Sequence, residues 1–465
     1  MLLFRKVCTL MARSRLFLHF ILLGALGGVP AHSRESSAQR SPPTVDAEPG
    51  NKGGDFTLMS VGDLLYSAPM AESADPEFAK VLKLIGSGDA ALGNLEVPIV
   101  DPAGFQGSGY GHGLLVADPA LAQDVKALGF DMVSVANNHS TDWGRAGFEL
   151  TRSRLTAAGV VHAGGGATLA DARAPRFLDT PKGRVALIAA ASTFKSNAMA
   201  LDANAKAPGR PGISVLRTRQ TNLVDKDMFD RLQTITGQPG PQIVIGDRSF
   251  QAADRTGVKF EMNSFDRDEI LKAIAEGKAA SDLAVFTIHA HENVNGLDED
   301  ERISEPAAFI PELLRDAVDA GADIVVAGGP HSLRGIEIYK GKPIFYGVGV
   351  FFLTGQIVLT QETRTENYGP PQAPSTAPAR ARQGKANPAS WYESFVAATT
   401  FRSGQLVEVR LYPLDLGQQG DDKRKGVPHL AAPDAARRIL KDLQAASLPY
   451  NTRISIEGAV GVLRP

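Results

Sequence analysis

Short apolar runs punctuate this chain, and between them apolar residues recur every three or four positions. That alternation predicts an α/β layer fold. The apolar runs predict strands at 56–61, 90–93, 132–136, 185–190, 283–288, 324–327 and 344–347. The three-to-four spacing predicts helices at 77–85, 119–128, 147–158 and 306–320, and Gly159 and Gly321 supply stop signals after two of them. Further on, 394–401 and 405–411 read as a hairpin around Arg402-Ser403-Gly404, and 433–446 as a helix.

Two stretches break the alternation. Residues 196–281 lie between two strands, contain Pro-Gly-Arg-Pro-Gly (Pro208 to Gly212) and carry helical patterns near 226–235 and 266–276. They read as an insertion that could cover a site. Residues 360–388 include Pro370, Pro371, Pro374, Pro378 and Pro388, a composition that predicts a disordered loop. The expected division is a leader at 1–33, a flexible lead at 34–54 and a main domain at 55–356 holding the insertion. A loop at 357–390 and a hairpin and helix at 391–465, which complete the domain, follow.

The N-terminal residues follow a different pattern from the rest of the chain. Arg5, Lys6, Arg13 and Arg15 precede an apolar stretch at 16–26, and small residues follow up to Ala31 or Ser33. This predicts a secretory signal, with Met11 as an alternative start, and so a periplasmic or secreted protein. An uncleaved signal would be its membrane contact. The single cysteine, Cys8, lies in that leader, so the mature chain would have no disulfide, thiolate ligand or cysteine nucleophile. A formal net charge of −2 gives no sign of a nucleic-acid partner.

Candidate chemistry sits where strands end. Gly62-Asp63, Asn94-Leu95-Glu96, Asn137-Asn138-His139, His289-Ala290-His291-Glu292 and Gly328-Gly329-Pro330-His331 each follow an apolar strand. Carboxyl ends of strands are where α/β sheets bind ligands. Carboxylates, amide oxygens and imidazoles converging there suit Mn, Zn or Fe, one ion or two, rather than a structural zinc, which favours cysteine. No Gly-x-Ser-x-Gly elbow stands in a strand–turn–helix context, and Gly164-Gly165-Gly166 is too short a run to cradle phosphates.

The runs Ser60–Tyr66, Gly93–Pro98, Gly129–Thr151, Gly159–Gly166, Phe286–Glu292 and Gly321–Gly349 resemble the CapA-like branch of the calcineurin-type metallophosphoesterases. That branch is named for capsule and poly-γ-glutamate biosynthesis. The resemblance implies a four-layer α/β/β/α sandwich. It implies metal ligation by Asp63, Glu96, Asn138, His289 and His331, with Asn94 and Asn137 beside them. His139 would assist the leaving group and Asp142 would orient it. His291 and Glu292 would support the ligands from behind, and Arg334 would meet an anionic substrate. Three positions depart from the family pattern: Leu65, Gly328 and Val350 stand where relatives or the wider superfamily carry ligand-type residues.

Two functions follow. One is an exported metal-dependent hydrolase of phosphoesterase type, acting on an envelope polymer. The other is a non-catalytic accessory protein that binds an anionic polymer, such as a capsule or poly-γ-glutamate intermediate, within a capsule-synthesis complex.

Overall fold

The computed structural model describes residues 54–104, 114–246, 248–296, 305–358, 388–418 and 424–465. The expected leader and most of the Pro-rich loop lie outside them. Two main sheets carry the structure. The larger runs, in order, through Ser455–Glu457, Val460–Leu463, Gln405–Asp415, Glu393–Arg402, Asp55–Tyr66, Ala90–Asn94, Met132–Ser134 and Val161–Ala163. The second runs through Ile336–Tyr339, Lys342–Phe345, Ile324–Gly328, Leu283–His289, Gly183–Ala191 and Arg176–Thr180.

Alternation along the strands explains the layering. In Leu283–His289, Leu283 and Val285 point into a core shared with the larger sheet, alongside Val61, Leu92 and Val133. Their neighbours Ala284, Phe286 and Ile288 point the other way. There they meet Ile270 and Ile274 of helix Ser264–Ala279 and Ile310, Leu313 and Leu314 of helix Phe309–Asp319. Strands apolar on both faces are what a covered sheet requires. Each of the larger aliphatic and aromatic side chains contributes about 1.5–3 kcal/mol on burial. Helices Pro76–Ile85, Leu121–Ala127 and Gly144–Ala157 cover the larger sheet through Phe78, Val81, Leu121, Val125, Phe148 and Leu155. The result is the α/β sandwich that the sequence predicts.

Two differences bear on the site. The first strand runs through the expected Gly62-Asp63 turn to Tyr66. It pairs antiparallel with Glu393–Arg402 over 55–60, then parallel with Val350–Thr354 over 63–66. The exchange of neighbour happens at Gly62, where a Cβ would lie 2.0 Å from the Gly349 carbonyl oxygen, so only glycine fits. Within 196–281, a separate four-stranded sheet forms from Thr218–Val224, Gln242–Ile245, Arg248–Ala252 and Gly257–Met262, with helix Lys226–Thr236 packed on it. The later helix, Ser264–Ala279, is not part of that unit; it packs into the core. Beside the Pro-rich stretch, Gln356–Val358 pairs with Leu114–Val116, and Ala389–Tyr392 forms a short 3-10 turn.

Candidate metal centre

The strand that changes neighbours also carries Asp63. Its register against Ala90–Asn94 shifts between Ser60 and Asp63, which sets Asp63 opposite Asn94. Bulges of this kind re-aim a side chain next to functional sites. Asn94 Nδ2 donates to Asp63 Oδ1 at 2.8 Å and reaches His289 Nδ1 at 3.1 Å. Glu96, two residues on, is fully buried.

The second sheet delivers the imidazoles. His289 ends its strand, with Nε2 3.5 Å from Glu96 Oε1 and 3.0 Å from His291 Nε2. His331 Nδ1 lies 3.1 Å from Asp63 Oδ2. His331 adopts φ of +53°, a left-handed conformation uncommon outside glycine. The preceding Gly329 makes room: a Cβ there would press on His291 Cδ2 at 3.0 Å and Ala290 N at 3.1 Å. The His291 and His331 rings can therefore approach to 5.5 Å between centroids.

Two groups of potential ligands result, and Glu96 belongs to both. Glu96, His289 and His291 form one; Asp63, Glu96 and His331 form the other. In each, the donor atoms lie within 4.8 Å of one another. All five side chains are buried. Burial, reinforced by His291, His331 and His139, pushes the His289 pKa well below 6.5 and keeps the ring neutral, the form that ligates metals. Two buried carboxylates packed among imidazoles favour a nearby positive charge. Nearby, the Asn138 Oδ1 atom is buried with no hydrogen-bond partner among the described residues. An amide oxygen left so is a ready ligand for a hard cation. The residues fit a divalent metal ion.

Beside this cluster, 137–142 forms a turn stitched by its own side chains. Ser140 Oγ donates to the Val135 carbonyl at 2.6 Å, and Asn137 Oδ1 accepts from His139 N at 3.2 Å. Asn137 Nδ2 donates to the Leu95 carbonyl at 2.9 Å and Asn94 Oδ1 at 3.2 Å, joining the turn to the cluster. His139 Nδ1 lies 2.9 Å from Asp142 Oδ2, which also accepts from Leu115 N at 2.7 Å. Lys195 Nζ contacts the other oxygen, Oδ1. Burial favours the neutral Asp142 carboxyl, but His139 and Lys195 outweigh it and hold its pKa below 3.8.

The structure brings Asp63, Asn94, Glu96, Asn137, His289 and His331 together. His139 and Asp142 form a pair beside them. His291 offers one donor atom to a group that could hold an ion. One expectation needs correction. Arg334 does not face a substrate: it is 1% exposed and donates through a guanidinium nitrogen to the His291 carbonyl at 3.3 Å. Glu292 sits under the turn, accepting from Ser192 Oγ at 2.8 Å and Thr193 Oγ1 at 3.1 Å. Position 328 does face the site, since a Cβ there would lie 3.1 Å from Asp63 Oδ1.

Four contributors escaped the sequence reading. Ser192, Thr193 and Lys195 follow the carboxyl end of strand Gly183–Ala191, the same kind of position that carries the other candidates. Trp391 packs edge-on against His331, with centroids 4.7 Å apart, and no local pattern signals it. A cavity of about 720 Å³ lies at the opposite ends of the strands, lined by Lys182, Arg184, Lys278 and Lys342 among others. These cations already pair with Asp89, Asp179 and Asp323, so the cavity is a wedge of ion pairs away from the chemistry.

The family model of bacterial capsule synthesis protein PGA_cap matches residues 57–354. The chain is 37% identical over 434 residues to the protein y4sH of Sinorhizobium fredii, covering 88% of this chain and 93% of that one. It is 24% identical over 324 residues to capsule biosynthesis protein CapA of Bacillus anthracis, covering 67% and 63% respectively. It is also 25% identical over 231 residues to a probable polyglutamine synthesis accessory protein of Mycobacterium tuberculosis, covering 50% and 46%.

Proposed function

We propose that this chain, which belongs to the bacterial capsule synthesis protein (CapA) family, is an exported metal-dependent hydrolase of phosphoesterase type. Its substrate would be a phosphoester in an envelope polymer, in capsule or poly-γ-glutamate metabolism. The observation that carries this reading is the pair of ligand groups sharing Glu96, set beside a His139–Asp142 pair.

Asp63, Glu96 and His331 would hold one ion of the Mn, Zn or Fe type, and Glu96, His289 and His291 a second, with Asn138 Oδ1 as a further donor. Such ions acidify water and neutralise charge that develops on phosphoryl oxygens. The protein's own part is positional. Asn94 fixes Asp63 and His289 relative to each other through one amide. Asp142 engages His139 at Nδ1, which leaves Nε2 as the atom to pass a proton to a departing oxygen. Trp391 shields the His331 ring on one side.

A second reading keeps the fold and drops the turnover. The Mycobacterium relative is named an accessory protein, and glycine at position 328 leaves the site one side chain poorer. The chain would then bind an anionic polymer within a capsule-synthesis complex. One experiment separates the two. The protein is purified after metal-replete expression, its Mn, Zn and Fe are quantified, and turnover of bis(p-nitrophenyl) phosphate is followed. The hydrolase predicts bound metal and turnover, with both lost in Asp63→Ala and His289→Ala. Losing several kcal/mol of charge stabilisation should lower the rate by about 10³-fold or more. Near-zero metal, or turnover that survives complete metal removal, would sink the hydrolase reading.

A further inference from the structure

One short loop ties the two halves of the site together. After strand Gly183–Ala191, the backbone N–H groups of Ser192 and Thr193 donate to the His289 carbonyl at 3.0 and 3.4 Å. Thr193 Oγ1 accepts from His291 N at 2.9 Å. The loop is thus anchored on the turn that carries the imidazoles. Two residues later, Lys195 crosses to the other turn and contacts Asp142 Oδ1.

That contact matters because of how Asp142 is held. Its Oδ2 serves His139 Nδ1 and Leu115 N. Its Oδ1 serves Lys195. Rotation of the carboxylate about Cβ–Cγ would swing Oδ2 away from His139, and Lys195 on Oδ1 opposes it. Leu115 is itself held, since its carbonyl accepts from Trp143 Nε1 at 2.7 Å. The Asp142 side chain is fully buried and that of Lys195 is 15% exposed, so water competes little for either. Breaking a buried pair of this kind leaves a charge without its partner.

We propose that Lys195 is a positioning residue for His139, acting through Asp142. The inference rests on the leaving-group role given to His139 above. Lys195 supplies the countercharge that lets Asp142 stay ionised and in plane. The His139 ring is then fixed with Nε2 directed outward.

The test uses the full chain loaded with zinc and compares wild type, Lys195→Met and Lys195→Arg. Three readouts are taken: metal per chain, kcat and KM on two phosphodiesters, and the ring-proton NMR line of His139, assigned by its loss in His139→Ala. The phosphodiesters differ in leaving as p-nitrophenolate or as phenolate. Lys195→Met should lower kcat by roughly 10- to 100-fold. KM and metal content should stay within about twofold. The loss should be larger for the phenolate substrate, because a poorer leaving group depends more on its proton donor. Lys195→Arg should recover most of the rate. The His139 line should move in Lys195→Met while that of His291 stays in place.

An unchanged kcat, a parallel loss of metal, or an unmoved His139 line overturns the proposal. If Lys195→Met does not fold, Lys195→Gln takes its place; failure of both to fold also overturns it, because the pair is then purely structural. A wild-type protein that binds zinc but turns over neither phosphodiester refutes the hydrolase reading instead. The NMR line then decides the positioning role by itself.

Discussion

Asp142 and Glu292 are both buried carboxylates on turns of one site, and both are served by the loop 192–195. Their pKa values move in opposite directions. At Glu292, burial wins over the hydrogen bonds of Ser192 and Thr193 and raises the pKa from its ordinary 4.5. At Asp142, burial loses to His139 and Lys195, and the pKa falls below 3.8. The difference lies in the donors. Hydroxyls satisfy lone pairs but bring no charge, whereas an ammonium brings both. The His139 turn therefore carries its own countercharge. At the turn of His289 and His291, the Glu292 carboxylate receives only uncharged hydroxyl donors from that loop.

The largest effect is expected from deleting the imidazole that Asp142 serves. His139→Ala should lower phosphodiester turnover by roughly 10²–10⁴-fold, the usual weight of a general acid. Metal content should stay at the wild-type level, because no hydrogen bond to a ligand side chain is lost. His139 N, which donates to Asn137 Oδ1, is backbone and remains. Metal lost together with activity would mean that the two turns are one unit, and the contrast would fail.

The same contrast explains what the sequence made legible. Side chains at strand ends were readable because a strand fixes where its last residues point. Asp63 sits inside strand Asp55–Tyr66, whereas Glu96, His289 and His331 lie at or just beyond strand ends and follow that rule. So do the strands themselves, since a sheet covered on both faces needs apolar runs that stand out from any context. Lys195 belongs to the same rule, but Ala191-Ser192-Thr193 looks like an ordinary exit from a strand and drew no attention. Arg334 was misread for a related reason: charge suggests surface, yet its guanidinium is buried and satisfies a main-chain carbonyl. His291 depended on an approach between rings that Gly329 permits, and sequence spacing does not encode that distance. Trp391 was beyond reach, because the residue it touches lies 60 positions earlier in the chain.

A smaller effect depends on pH. Asp142→Asn removes the charge that Lys195 and His139 share, and should destabilise the protein by about 3 kcal/mol at neutral pH. The Asp142 pKa is depressed in the folded state. Its contribution is therefore present above the unfolded value of 3.8 and is lost as pH falls through the lower, folded value. In urea titrations, the gap between wild type and Asp142→Asn should stay flat from neutral pH down to about pH 5 and close only in stronger acid. A gap already halved at about pH 5 would show that Lys195 does not hold the carboxyl down.

The smallest effect is expected at Glu292, and its sign is the informative part. Glu292→Gln keeps the shape and still offers an oxygen to Ser192 Oγ and Thr193 Oγ1, which donate to Oε2 at 2.8 and 3.1 Å in the native protein. It removes a charge that burial opposes. In metal-free protein at neutral pH, the variant should match wild type or exceed it by about 1 kcal/mol or less. The equivalent amide at Asp142 is costly, so the two conservative changes should part in sign. A loss of about 2 kcal/mol or more at Glu292 would show a countercharge on that side as well. The turn of His289 and His291 would then be charge-balanced without a metal, and the strongest electrostatic reason for placing a cation there would be gone.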